Sequence, residues 1–254
     1  MYGRIISGIL VGFKMDNNQL MNKYGIIGYP LKHSISPQIH NSAFNALKIN
    51  ALYQKIEINP TEFEETIKQL KHEDWRGFNI TIPFKETIIK YLDDIDPMSA
   101  NIGAINTIKI SNGKWRGYNT DYLGFVKPIE KYLDSINSVL VLGAGGAARA
   151  VIYGILEKLK IEKIYLANRT KSRAELLVQS VKYSGRTKIE IIDFSTINHL
   201  NDPINLIVNT TSLGMGNEID KTPLEISEKY SNCIVYDLIY NPKKSKLLTR
   251  AEEQ

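Results

Sequence analysis

Cysteine is almost absent: the 254-residue chain has a single one, Cys233. No intramolecular disulfide can form, which fits a reducing cytoplasm. Long apolar runs are missing too. The longest near the start, Ile5 to Phe13, is far short of the roughly 20 residues a membrane span needs, and Lys14 and Asp16 follow it. No small-x-small cleavage site accompanies that run, so residues 1–22 read as an N-terminal extension, either an added strand or the product of an upstream start. Metal-ligand spacing is lacking, because His33, His40, His72 and His199 are scattered and stand apart from Cys233. Dense basic runs are lacking as well. A formal charge of +5 without a basic patch or aromatic–basic interleaving argues against nucleic acid and for a mild bias toward small anions.

Glycine is the residue whose placement carries most information. Val139-Leu140-Val141-Leu142 runs into Gly143-Ala144-Gly145-Gly146-Ala147-Ala148, and an apolar-faced helix pattern follows through Leu156. Strand, tight turn and helix start are thus contiguous, and Gly143, Gly145 and Ala148 fit the GxGxxG/A dinucleotide pattern. Glycines let backbone approach a pyrophosphate, and the helix N-terminus attracts its charge. Small residues at such a turn also serve close packing, so the motif alone leaves both readings open. The next strand signal, Lys163 to Asn168, ends without the Asp or Glu that would accept a ribose 2′-hydroxyl. Asn168-Arg169-Thr170 stand there, with Lys171, Ser172 and Arg173 beyond. A guanidinium pairs with a 2′-phosphate where a carboxylate would repel it, which points to NADP rather than NAD.

The motif lies near mid-chain, so another domain precedes it. Strand and helix signals alternate there: Tyr24 to Gly28, a helix over 36–48 with Ser36 as N-cap, a strand over 52–58, a helix over 60–70, and a strand over 78–82 ended by Pro83. Helix signals continue to Leu92, with Lys85 at their start, and a hairpin spans 106–118 around Ser111-Asn112-Gly113. A helix over 122–134 leads to strands at 138–142, 163–168, 187–192, 204–209 and 232–237. The expectation is an α/β protein of two domains. The first, residues 23–121, is an α/β substrate domain with a mostly parallel sheet; the second, residues 122–254, is a Rossmann-type nucleotide domain.

Several polar groups look like chemistry rather than scaffold. Ser34 and Ser36 precede a helix N-terminus, a good place to hold a carboxylate, although spacing alone favours Ser36 as a mere cap and Ser34 as solvent-exposed. Asn79 and Thr81 share one face of a strand whose Ile80 and Ile82 face the core, and Lys85 follows. Asn106-Thr107 and Asn119-Thr120-Asp121 offer donors and acceptors suited to a polyol, or ordinary turns and caps. Asn209-Thr210-Thr211 and Asp237-Leu238-Ile239-Tyr240 sit at strand ends, where the nicotinamide end of a cofactor would lie.

Taken in order, these segments resemble the shikimate dehydrogenase family. They are Ser34-x-Ser36-Pro37, Asn79-x-Thr81-x-Pro83-x-Lys85, Ala104-Ile105-Asn106-Thr107, Asn119-Thr120-Asp121, Gly143 to Ala147, Asn168-Arg169-Thr170, Asn209-Thr210-Thr211 and Asp237-Leu238-Ile239-Tyr240. The resemblance implies reversible, NADP-dependent reduction of 3-dehydroshikimate to shikimate. It implies that Ser34 and Ser36 hold the substrate carboxylate, and that Asn79, Thr81, Asn106, Asp121 and Tyr240 bind its other polar groups. Lys85 would exchange the proton, paired with Asp121. Gly143, Ala144, Gly145, Gly146 and Ala147 would hold pyrophosphate, Asn168 to Arg173 the 2′-phosphate, and Thr210 and Leu238 the nicotinamide side. A cytoplasmic monomer or homodimer is expected. The family continues past the segment matching Ala251 into a helix whose glutamine reaches substrate, whereas this chain ends at Gln254. The alternatives are therefore an NAD-using quinate/shikimate enzyme and a ligand-binding remnant with little activity.

Overall fold

A computed structural model describes residues 21–254 apart from positions 160, 182 and 184. Residues 1–20 of the expected N-terminal extension lie outside the described residues. The first half forms a six-stranded sheet from β1 (Asn22–Gly28), β2 (Ala51–Glu57), β3 (Trp75–Ile80), β4 (Asp94–Ile95), β5 (Thr107–Ser111) and β6 (Lys114–Tyr118). Their spatial order is β2-β1-β3-β5-β6-β4, and only β5 pairs antiparallel with both of its neighbours. The sheet is therefore mostly parallel, as the alternation of strand and helix signals predicts. The tight β5–β6 hairpin turns through Asn112 and Gly113, both at positive φ.

Helix α1 (Ser36–Ala46) and helix α2 (Phe63–Leu70) belong to this half. In α2, Phe63, Ile67 and Leu70 recur at helical spacing and are buried; Phe63 stacks on Phe84 with ring centroids 4.0 Å apart. A short helix, α3 (Pro97–Ile102), begins at the end of the Asp93-to-Pro97 stretch, which in sequence reads as a simple turn. Asp96 caps it by accepting a hydrogen bond from the Ser99 amide at 3.1 Å, with Pro97 at the first helical position.

Three further expectations are corrected. Ile82 is 55 % exposed instead of facing the core, because β3 stops at Ile80 and Pro83 has no N–H to continue a ladder. Residues 83–92 hold turns and a 3-10 segment, Thr87–Tyr91, rather than an α-helix beginning at Lys85. Ser36 is the first residue of α1, not its cap: Ile35 takes the N-cap position, with no side-chain bond there.

The second half carries a five-stranded parallel sheet ordered β11-β10-β7-β8-β9. Its strands are β7 (Ser138–Leu142), β8 (Lys163–Ala167), β9 (Lys188–Ile192), β10 (Leu206–Asn209) and β11 (Ile234–Asp237). Helix α4 (Asp121–Ile129) enters this half, and α5 (Gly146–Lys158), α6 (Lys171–Ser180) and α7 (Lys246–Glu252) flank the sheet. Central strand β7 is fully buried. Val139 and Val141 pack with α5 residues Val151, Ile152 and Ile155, while Leu140 and Leu142 join Tyr230 and Leu247 on the other face. That two-sided burial explains why its sequence is continuously apolar rather than alternating.

The halves meet through a small apolar cluster of Ile102, Ala104, Tyr122, Ala150 and Tyr153, in which Tyr122 and Tyr153 are edge to face at 5.7 Å. Among the described residues no helix is long and apolar enough to cross a membrane. Ile152, wholly buried between α5 and the sheet, should cost about 2–5 kcal/mol of unfolding free energy when changed to Ala. Leu176→Ala, at a side chain 61 % exposed, should change it by less than about 0.5 kcal/mol. Denaturant titration of both variants makes the comparison.

Candidate active site

Strand direction gathers the polar residues of the first half at one edge. β1 and β3 are parallel, with Ile27 opposite Ile80. Beyond them the Thr81 amide donates to the Ile27 carbonyl at 2.9 Å and the Tyr29 amide to the Ile82 carbonyl at 2.8 Å, so the Ser34 loop and the Lys85 turn leave side by side. Antiparallel β5 starts at this same edge, with Thr107 opposite Asn79, and β6 returns to it with Tyr118 opposite Thr107. Asn106 and the Asn119-Thr120-Asp121 segment are thereby delivered to the same place.

At the centre lies an ion pair. Lys85 Nζ donates to Asp121 Oδ2 at 2.6 Å, and Asn106 Nδ2 donates to Asp121 Oδ1 at 2.6 Å. Asn106 is itself fixed, accepting from the Thr120 amide at 3.0 Å and from the Thr107 hydroxyl at 2.9 Å. Asn119 Nδ2 donates to the Ala104 carbonyl at 2.8 Å, and Asn119 Oδ1 accepts from the Asp121 amide at 3.0 Å. Asp121 thus has both oxygens held and its backbone anchored. The side chains of Lys85 and Asp121 are only 16 % and 29 % exposed, which strengthens a charge-assisted bond relative to one in open water. An ammonium has three N–H donors, so Lys85 retains hydrogens to offer a ligand oxygen.

Of the other substrate candidates, Asn79 joins this network through Thr107, whereas among the described residues no hydrogen bond or ion pair ties Ser34, Ser36, Thr81 or Tyr240 to it. Ser34 and Ser36 are half-buried; the Ser34 hydroxyl donates to Ser36 Oγ at 3.3 Å and accepts from the Ser36 amide at 3.4 Å, and Ser36, not spent on capping, keeps its hydroxyl hydrogen for a ligand. Asn79 Nδ2 donates to Thr107 Oγ1 at 3.3 Å, while its Oδ1 accepts from the Tyr53 hydroxyl at 2.6 Å. Thr81 is half-buried just past β3, and Tyr240 is 62 % exposed. In the sequence Tyr53 looks like ordinary strand filling, with no motif around it. In the structure it orients Asn79 and stacks on His40 at 4.2 Å. Burial raises the Tyr53 hydroxyl well above its ordinary pKa and lowers that of the His40 imidazole, favouring the neutral form of each.

The second sheet presents its own carboxyl edge. Chain order reverses between β7 and β10, and ligands of open α/β sheets sit at such a switch point. Gly143 follows β7 with φ +105, and a Cβ there would stand 2.6 Å from Thr210 Oγ1, the hydroxyl of which donates to the Leu142 carbonyl at 2.7 Å. Gly145 precedes α5 in extended conformation with open space beside it, and no side chain caps the helix. Free N–H groups facing open space are what a pyrophosphate requires. Ala144 and Ala147 complete the turn.

Asn168 closes the loop after β8 by donating to the Thr170 carbonyl at 2.7 Å, and Arg169, Thr170, Lys171, Ser172 and Arg173 are all exposed beside it. Lys171 lies 3.9 Å from Glu175 in a loose pair, and the exposed guanidinium groups of Arg169 and Arg173 beside it suit a 2′-phosphate. Asn209 ties the third loop together. Its Oδ1 accepts from the Thr211 amide at 2.9 Å, and its Nδ2 donates to Asp237 Oδ1 at 3.1 Å, just ahead of half-buried Leu238. Among the described residues no cluster of His, Cys, Asp or Glu is arranged to hold a metal ion.

The two edges face each other. A Cβ on Gly146 would lie 2.9 Å from Lys85 Cβ, so the glycine turn and the lysine are in direct contact. Arg149, in the same helix, reaches across to Glu86 at 2.8 Å.

Comparison with known proteins agrees with this geometry. Residues 26–108 match the model of the shikimate dehydrogenase substrate binding domain, and residues 129–229 match that of shikimate / quinate 5-dehydrogenase. A shikimate dehydrogenase (NADP(+)) of Dictyoglomus thermophilum is 45 % identical over 231 residues, covering 91 % of this chain and 82 % of that protein. The crystal structure of shikimate dehydrogenase from Aquifex aeolicus superposes with TM-score 0.76 at 39 % identity, over 92 % of this chain and 84 % of that one. A Thermus thermophilus shikimate 5-dehydrogenase solved with NADP(H) and shikimate gives TM-score 0.75 at 28 % identity, over the same shares of 92 % and 84 %.

Gly143→Ala should combine a strained positive φ with a clash against Thr210, lowering stability by about 1–3 kcal/mol and weakening dinucleotide binding. Thermal melts with and without dinucleotide test both parts: an unchanged melting temperature and an unchanged ligand-induced rise would show that position 143 tolerates a side chain.

Proposed function

The chain belongs to the shikimate dehydrogenase family, and from that premise we propose that it catalyses the reversible, NADPH-dependent reduction of 3-dehydroshikimate to shikimate in aromatic amino-acid biosynthesis. The observation that carries the reading is the half-buried Lys85–Asp121 pair set against the first turn of α5. When bound, NADPH would supply the hydride, which leaves it as NADP.

The chain's own residues supply position and the proton. Lys85, held at 2.6 Å by Asp121, presents an N–H to the ketone oxygen; as negative charge develops there, the ammonium stabilises it and transfers the proton. Asp121 fixes the ammonium and, through the Asn106 bond, is itself kept from rotating. In the reverse direction neutral Lys85 takes the hydroxyl proton. Ser34 and Ser36 offer two hydroxyls for the substrate carboxylate, and Asn79, Thr81, Asn106 and Tyr240 address its ring hydroxyls and carbonyl. Gly143 to Ala147 receive the pyrophosphate, Asn168 to Arg173 the 2′-phosphate, and Thr210 and Leu238 border the nicotinamide.

The same proposal takes residues 23–121 as the substrate domain and 122–254 as the NADP domain of a cytoplasmic monomer or homodimer. Cys233 suits that setting, since burial pushes its thiol up to about 12 and leaves it unreactive.

Adding 3-dehydroshikimate should oxidise NADPH, followed by loss of its near-ultraviolet absorbance, and NADP should be preferred over NAD at equal concentration. Lys85→Ala should lower kcat roughly 10²–10⁴-fold with NADP affinity unchanged. Wild-type turnover in that variant would remove Lys85 from the reaction, and preference for NAD would move the chain to the NAD-using quinate/shikimate type.

A further inference from the structure

Arg149 is buried to 8 % exposure one turn into α5, an unusual place for a guanidinium. It shares a helix face with Gly146, three residues earlier, and that face looks onto the first half of the chain. Gly146 abuts Lys85, and Arg149 Nη2 pairs with Glu86, the next residue, at 2.8 Å. Arg149 Nη1 donates to the Ser180 hydroxyl at the end of α6 and lies against Gly103, where an added Cβ would come within 3.2 Å of it. Its Nε is buried without a partner. The Lys85 carbonyl in turn accepts from the Ile105 amide at 2.7 Å, next to Gly103-Ala104.

A desolvated guanidinium with one N–H unsatisfied is poor value as a source of stability, since an apolar side chain would fill the same space at less desolvation cost. What it does supply is registration: a planar fork touching the catalytic turn, the end of α3 and the end of α6 at once.

We propose that Arg149 is a positioning residue that, through Glu86, sets the Lys85 turn against the N-terminus of α5 and so fixes the distance between the proton donor and the nicotinamide side of the site. The inference rests on the reductase reading for its kinetic consequence and on geometry alone for its structural one.

The experiment uses the whole chain with Glu86→Ala, Arg149→Met and Arg149→Lys. Glu86, its side chain 43 % exposed, can be truncated without opening the core, so that variant is expected to fold even where Arg149→Met does not. Hydrogen exchange of the peptide spanning residues 83–92 should be faster in Glu86→Ala and Arg149→Met than in wild type, with Arg149→Lys between. Turnover should fall roughly 10- to 100-fold in the first two, with NADP affinity by calorimetry unchanged and the primary isotope effect from deuterated NADPH increased, as expected for a misaligned hydride path. Arg149→Lys should recover part of the rate. Unchanged exchange in folded Glu86→Ala overturns the proposal, and so does faster exchange with wild-type turnover. If the wild type itself turns nothing over, the reductase reading fails and the exchange measurement alone decides the role of Arg149.

Discussion

A methyl group at position 146 would stand 2.9 Å from Lys85 Cβ, and that close approach is the constraint around which the two halves are built. Each half on its own is a sheet with loops at one carboxyl edge. Chemistry between a nucleotide held by one edge and a small polar molecule held by the other requires the edges to touch. A glycine at the first position of α5 permits contact, and the Tyr122–Tyr153 cluster behind it supplies the apolar adhesion. Without glycine there, the helix N-terminus and the lysine would be forced apart by a few tenths of an ångström or more, at the point where reacting atoms must meet within about 3–3.5 Å.

Much of this was legible from sequence where local physics decides the outcome. The Val139-to-Gly146 segment announces a buried strand, a turn and a helix start, and each element lies where the pattern puts it. Asn112-Gly113 specifies the hairpin for the same reason: few residues tolerate positive φ. Legibility failed where tertiary contact overrides local preference. The 83–92 stretch has helix-forming composition, yet Lys85 and Ile88 are drawn in different directions, one to Asp121 and the other into the core, and the backbone settles into turns and a 3-10 segment. Ile82 reads as core by alternation but lies past the last ladder bond. Ser36 carries every sign of a cap, and the chain instead starts the helix one residue earlier.

The candidate site divides in the same way. Asp121 and Lys85 are far apart in sequence, and no spacing rule joins them; only the ordered resemblance to a family did so. Arg149 and Tyr53 were invisible because their partners, Glu86 and Asn79, come from other elements, and nothing in a one-dimensional pattern marks a buried guanidinium or phenol. The Asp96-Pro97 pair was a readable signal for α3, whose end presents Gly103 to Arg149.

Electrostatic roles differ between the two edges because water does. Lys85 and Asp121 sit largely out of solvent, with the carboxylate fixed by Asn106 and the Asn119 turn, so their interaction is short-ranged and little screened. Arg169, Lys171 and Arg173 stand in open solvent, where the attraction proposed for a 2′-phosphate would be steered from a distance and weakened by salt. On the proposed function, capture of the nucleotide is thus an ionic-strength-dependent event at the rim. Proton transfer, on the same proposal, belongs to a pre-ordered pair inside, and rising salt should therefore act on the first while leaving the second intact.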